Sequence, residues 1–245
     1  MYQSTLKLTA GAFDSHSCAE LTKQATAIAT NNALSGAFSG SYGFQRVFRR
    51  DGITELLTKH AFLSEFLEAA MAHDFTNAFY LNALIVNNGG AVQQHRDCSL
   101  NGWLGFDCAP LEVSVLYVQV PADLAGGRLQ LFDEHGLVAT CSPREGSLLH
   151  FDGKLAHEVT ATSGSVPRVS LVLEQYQVES DILGRVPKYS ETPDGYETLE
   201  RVAEKWNEFA RGLSAEELQE LLSLEGEQQT PGAPGCPQHN PGVGR

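Results

Sequence analysis

The 245-residue sequence predicts a mainly β domain, a sandwich or barrel, with helices before and after it in the chain. Three observations carry that expectation. Residues 77–178 break into short runs rich in Val, Leu, Ile, Phe and Tyr. Glycine-bearing turns separate them: Asn87-Asn88-Gly89-Gly90, Ala125-Gly126-Gly127, Arg144-Glu145-Gly146 and Ser163-Gly164-Ser165. Many short strands with such turns suit a sandwich or barrel better than a parallel βαβ sheet. A hydrophobic fraction of 42% is enough to fill a core of that kind.

The elements follow in order. Ser17-Cys18-Ala19-Glu20 has capping-box spacing, and Leu21, Ala25 and Ile28 recur at helical intervals, so a helix is expected there. Ser35 to Gly43 reads as a Gly/Ser-rich loop, and Arg46, Arg49 and Arg50 form a basic cluster, either a solvated loop or an anion contact. A second helix is expected from about Ile53 to Met71, with Leu56, Leu63, Leu67 and Ala70 on one face, giving a helical flank over 14–76. The expected strands are Ala78–Val86, Glu112–Val120, Arg128–Phe132, Leu137–Thr140, Ser147–Phe151, His157–Thr162 and Arg168–Val178. Helix returns over 194–224, where Leu199, Val202, Trp206 and Phe209 share a face and Ser214-Ala215-Glu216-Glu217 opens a further segment. Residues 225–245 hold prolines and glycines with almost no large apolar side chain, so they are expected to be disordered, leaving 1–224 as a single domain.

Thirty acidic against seventeen basic residues give a formal charge of −13. Such a surface repels phosphate backbones and anionic headgroups, so neither nucleic acid nor membrane is an expected partner. No apolar run approaches the roughly 20 residues of a membrane helix, and Met1 to Ala12 has no leader pattern. The five cysteines are scattered without a C-x-x-C, which points to a reducing, cytoplasmic compartment. The apolar stripe of the acidic C-terminal helices also suits a homodimer contact.

The chemistry-bearing residues lie in the β-rich zone. In His95-Arg96-Asp97 the histidine and carboxylate, at i and i+2, point the same way on a strand or its end. His157 follows sixty residues after Asp97. Two imidazoles and one carboxylate on one face of an octahedron hold Fe(II) with positions left open for cosubstrate and O₂. An H-x-D alone is weak, since His150-Phe151-Asp152 is a second one. After Asp152, however, only His157 and His239 remain, and neither gives that pair a separated donor followed by a basic anchor. His150 therefore reads as a strand-end or pocket-lining residue. Arg168 stands eleven residues after His157. If 157–162 and 168–176 are adjacent strands, its planar fork enters the same cavity and needs a carboxylate there. Ser170, at i+2, and Tyr117 add hydroxyls, and Asn82 is a further polar candidate. Trp103, Phe106 and Phe132 are candidates for an aromatic wall or for core; Cys98, Asp107 and Cys108 read as rim residues.

His95-x-Asp97, His157-x₁₀-Arg168-x-Ser170 resembles the iron- and 2-oxoglutarate-dependent dioxygenases. Val113–Val120, Ala125–Phe132, Gly146–Phe151 and Leu155–Thr160 are similar to their prolyl-hydroxylase-like branch, over roughly residues 78–178. That branch often carries Lys where this chain has Arg168. The resemblance implies a double-stranded β-helix (jelly-roll, cupin-like) core, with N-terminal helices packed on the major sheet. It implies Fe(II) held by His95, Asp97 and His157, and 2-oxoglutarate anchored by Arg168 with Ser170, Tyr117 and Asn82. O₂ would be the oxidant and ascorbate an auxiliary reductant. The implied activity is hydroxylation of a peptide side chain or small molecule, with release of succinate and CO₂. The alternatives are a cupin-type metalloenzyme that does not use 2-oxoglutarate, and a non-catalytic metal-binding β-barrel.

Overall fold

The computed structural model describes residues 6–29, 40–71 and 73–191, all within a unit running from Met1 to Gly195. A short strand β1 (Leu6–Thr9) precedes helix α1 (Ser15–Ile28). Strand β2 (Ser41–Arg49) leads to helices α2 (Ile53–Lys59) and α3 (Ser64–Ala70). Next come β3 (Ala78–Val86), β4 (Val92–His95), helix α4 (Asn101–Leu104) and β5 (Glu112–Gln119). They are followed by β6 (Ala125–Gly126), β7 (Leu129–Asp133), β8 (Gly136–Cys141) and β9 (Leu148–Asp152). Strands β10 (Ala156–Val159), β11 (Thr162–Ser163), β12 (Arg168–Tyr176) and β13 (Tyr189–Ser190) complete the described chain.

Two main sheets organise most of these strands, and β6 pairs with β11 in a small ribbon of their own. The larger has the order β1-β9-β5-β12-β3-β2-β13 and the smaller β4-β10-β7-β8, with every pairing antiparallel. From β3 to β12 the chain passes repeatedly between the sheets, so the fold is a double-stranded β-helix with a jelly-roll core, as expected. Strands β1, β2 and β13 extend the larger sheet beyond that core.

Side-chain alternation divides the interior into layers. On the outer face of the larger sheet, Phe44, Phe48, Phe79, Leu81, Leu171 and Leu173 pack with Cys18, Leu21, Leu56, Phe66 and Leu67 of the helices. Between the sheets, Leu84, Val113, Val115, Leu129, Leu131 and Phe151 form a second cluster. Each fully buried Leu or Phe contributes about 1.5–3 kcal/mol, so the helical layer is a major part of the fold's support. Strand β3 is buried along its whole length: helices cover one face, and on the other the small sheet covers Leu84 and Val86 while Leu100 and Leu104 cover Ala78 and Tyr80.

Several expectations need correction. Helix α1 is capped by Asp14, whose carboxylate accepts from Ser17 N at 2.8 Å, so Ser17 lies inside the helix rather than before it. Residues 41–49 are a strand, not loop, because Tyr42, Phe44 and Phe48 pack on one face and Val47 on the other while the backbone pairs with β3 and β13. The expected long helix over 53–71 is two short ones, broken at His60, whose backbone leaves the helical region at φ −134°. The basic cluster is spent internally. Arg46 donates to His60 Nε2 at 3.0 Å, Arg49 pairs with Asp51 at 3.1 Å, and Arg50 donates to the carbonyls of His73 and Thr76. Strands 156–159 and 168–176 are not neighbours but lie in opposite sheets. The helices expected over 194–224, the tail at 225–245 and most of the Ser35–Gly43 loop lie outside the described residues. Among the described residues no helix is long and apolar enough to cross a membrane.

Candidate active site

Strand β4 ends at His95, and its neighbour β10 carries His157 directly opposite, in register. Cross-strand partners share a face, so the two imidazoles meet with ring centroids 4.4 Å apart. The chain then leaves the strand, and the turn brings Asp97 back over the pair. Asp97 Oδ1 lies 3.5 Å from His95 Nε2, and Oδ2 lies 3.7 Å from His157 Nε2. The three ligand atoms all fall within 4.8 Å of one another, the one such group among the described residues. Nδ1 of His95 donates to Gln93 O at 2.8 Å, and Nδ1 of His157 faces Leu155 O at 3.4 Å. A carbonyl only accepts, so each ring keeps its proton on Nδ1 and turns the Nε2 lone pair to the centre.

The electrostatics suit a cation. Burial opposes charge on Asp97, but the two histidines outweigh it and hold its carboxyl below the usual range. Burial also works against charging His95, yet the bond and charge of Asp97 push its pKa up; at His157 burial wins and the pKa falls. A neutral imidazole is the form that binds metal.

Arg168, Ser170 and Val172 alternate inward from β12 into a cavity of about 490 Å³, open solvent at its mouth included. His95, Asp97 and His157 form part of the facing wall, and Tyr117 and Asn82 line the cavity from the larger sheet. Arg168 is 2% exposed, donates to Gly127 O at 3.0 Å and lies 5.6 Å above the Tyr117 ring. No ion pair to it forms among the described residues. Burial pushes the Tyr117 hydroxyl up to about 12, so it stays a donor. Four buried polar atoms in this cavity make no hydrogen bond: Asn82 Oδ1, Asp97 Oδ2, Ser170 Oγ and Arg168 Nε. A buried charge without a counterion is costly, so this donor set fits an anionic ligand at one end and a cation at the other.

All seven sequence-derived site residues therefore converge on one cavity. The adjacency assumed for Arg168 does not hold; it reaches His157 across the barrel instead. His150 is on the outer face of the larger sheet, 2.8 Å from Ser114 Oγ and 3.2 Å from Glu112, away from the metal group. Trp103, Phe106 and Phe132 do not line the cavity: Trp103 packs against the Leu100–Tyr176 cluster, and Phe106 is 45% exposed. Asp107 and Cys108 close their own loop through Asn101. Sequence reasoning missed Glu174, Tyr176 and Ser99, which form a buried network next to the centre. The available signal was parity, since Glu174 shares a strand face with Arg168 and Ser170.

No family model and no curated protein matches this chain. Among solved structures, a prolyl-4-hydroxylase from Pseudomonas putida is similar at 16% identity and a TM-score of 0.49, over 72% of this chain and 95% of that one. An oxidoreductase of the 2OG-Fe(II) oxygenase family from Burkholderia pseudomallei is similar at 15% identity and 0.49, over 72% and 87%. HygX from Streptomyces hygroscopicus, solved with nickel and 2-oxoglutarate, is similar at 13% identity and 0.44, over 77% and 92%. These are distant likenesses, and the case for function stands on this chain's own residues.

Proposed function

We propose that this protein is a cytoplasmic Fe(II)- and 2-oxoglutarate-dependent dioxygenase that hydroxylates a peptide side chain or small molecule. The observation that carries the reading is the pairing of features in one cavity. A His-Asp-His group with inward Nε2 lone pairs faces a buried guanidinium that has no carboxylate of its own.

His95, Asp97 and His157 would hold the metal, leaving the other coordination positions open to the cavity. Arg168 would receive the far carboxylate of 2-oxoglutarate, with Ser170 Oγ and Tyr117 Oη as further donors. Asn82 would contribute a carboxamide contact. Apolar walls from Val113, Val115, Leu129 and Phe151 exclude water and strengthen these charge-assisted bonds. Together Fe(II) and 2-oxoglutarate supply O₂ activation coupled to decarboxylation, giving succinate, CO₂ and an oxygenated substrate, with ascorbate as auxiliary reductant. The chain's own task is to orient the cosubstrate and seat the target C–H bond. The free thiols of Cys18, Cys98, Cys108 and Cys141 support a reducing compartment, and the −13 charge disfavours nucleic acid and anionic membranes as partners.

The test is anaerobic calorimetry of 2-oxoglutarate into protein loaded with Fe(II). Binding is expected in the wild type. Arg168→Ala should weaken it by about 10-fold or more, since one or two charge-assisted bonds of about 1.5–3 kcal/mol each are lost. Absence of metal-dependent binding, or unchanged affinity in Arg168→Ala, overturns the proposal.

A further inference from the structure

Strand β12 faces the barrel interior with Arg168, Ser170, Val172, Glu174 and Tyr176 in succession. The first three belong to the cavity. Glu174 does not, yet it is 2% exposed. Its carboxyl accepts from Ser99 Oγ at 2.7 Å and from Tyr176 Oη on its other oxygen. Burial first, and the Asp97 charge second, push its pKa well above the usual carboxyl value. A carboxyl buried beside another carboxylate costs stability, and an apolar side chain would have served packing alone better.

Asp97 is where such a group is useful. His95 and His157 sit on paired strands, but Asp97 lies on irregular chain after β4 has ended. Its Oδ2 makes no hydrogen bond that would fix the side chain. The bond from Ser99 to Glu174 ties that irregular segment, two residues beyond Asp97, to the central strand of the larger sheet. Tyr176, fully buried, holds the carboxyl in place from the same strand. We propose that Ser99, Glu174 and Tyr176 form a buried brace that positions Asp97 for metal binding, making Glu174 a positioning residue of the centre. This rests on the His95, Asp97 and His157 group being a metal site.

Co(II) affinity of the purified protein, the visible spectrum of bound Co(II) and the melting temperature of the metal-free form test the brace together. Glu174→Ala is expected to weaken Co(II) binding by about 10–100-fold, the usual effect of losing an outer support of a metal ligand, and to alter the Co(II) spectrum. Glu174→Gln keeps an acceptor for Ser99 and should recover most of the affinity. Ser99→Ala should weaken binding in the same direction. The double variant Ser99→Ala/Glu174→Ala should bind no more weakly than Glu174→Ala, because both act through one bond. Wild-type affinity and spectrum in Glu174→Ala, or fully additive losses, overturn the brace. Should Glu174→Ala fail to fold, wild-type affinity in Ser99→Ala overturns it equally. If the wild type binds no Co(II), the metal-site reading falls and the brace with it; if it binds and the variants match it, only the brace falls.

Discussion

Ser170 Oγ is buried in the cavity and bonds to no other protein group among the described residues. Removing that hydroxyl therefore breaks no hydrogen bond within the protein. Ser170→Ala is expected to leave the metal-free melting temperature unchanged or raised, by up to about 1 kcal/mol of stability. It should weaken 2-oxoglutarate binding about 10–100-fold, the worth of one hydrogen bond to a carboxylate at about 1.5–3 kcal/mol. Thermal denaturation and calorimetry read the two effects separately, and undiminished affinity would remove Ser170 from the anchor. The same residue shows what one chain of letters discloses. His95, Asp97, His157, Arg168 and Ser170 were legible because their chemistry demands residue types at particular spacings. Glu174 and Ser99 were not. Glu174 has the strand parity of Arg168 and Ser170, but what covers that end of the strand is the packing of residues 98–104, which no spacing discloses.

Elements came through where dense runs of β-branched, leucine and aromatic residues marked a strand and failed where glycine and arginine interrupted them. Strand β12 was expected within two residues of its observed end, whereas β2, with Gly43, Arg46 and Arg49 among its aromatic residues, was taken for loop. The break between α2 and α3 was equally hidden, since the apolar spacing of Leu56, Leu63 and Leu67 continues through it. His60 marks that break and accepts from Arg46 Nε, which requires its Nε2 to be unprotonated. Burial first, and the Arg46 charge second, push its pKa below the usual 6.5. The unfolded chain therefore binds the His60 proton more readily than the folded one. The contribution is fully present above pH 6.5 and is lost as the pH falls through the depressed folded value. Melting temperature should accordingly decline from pH 7 toward pH 5. In His60→Gln, which can still accept from Arg46, that part of the decline should be missing. An identical pH profile in the two proteins would show that the helix break carries no titrating strain.

On the scale of the whole molecule, a sandwich or barrel was readable from strand texture and the jelly-roll came from the family resemblance, but the assignment of strands to sheets was not legible. Arg168 and His157 looked like neighbours along the chain, yet they meet because their strands face each other across the barrel. That arrangement has a thermodynamic consequence. The cation group bridges β4 and β10 of the small sheet, while the anion anchor stands on β12 of the large one, so a ligand touching both ends clamps the two sheets together. Ligands that bind only the folded state stabilise it by mass action, about 2.7 kcal/mol at one hundred times the dissociation constant. For a domain of this size that is roughly 5–10 °C in melting temperature. Fe(II) under nitrogen should raise the melting temperature, and 2-oxoglutarate should raise it further only once the metal is present. A chelator should reverse both increments. Asp97→Ala should lose both, because the second ligand depends on the first, whereas Arg168→Ala should lose only the second. Equal stabilisation by 2-oxoglutarate with and without metal would mean that the two ends of the cavity act as separate sites, and the clamp across the barrel would not exist.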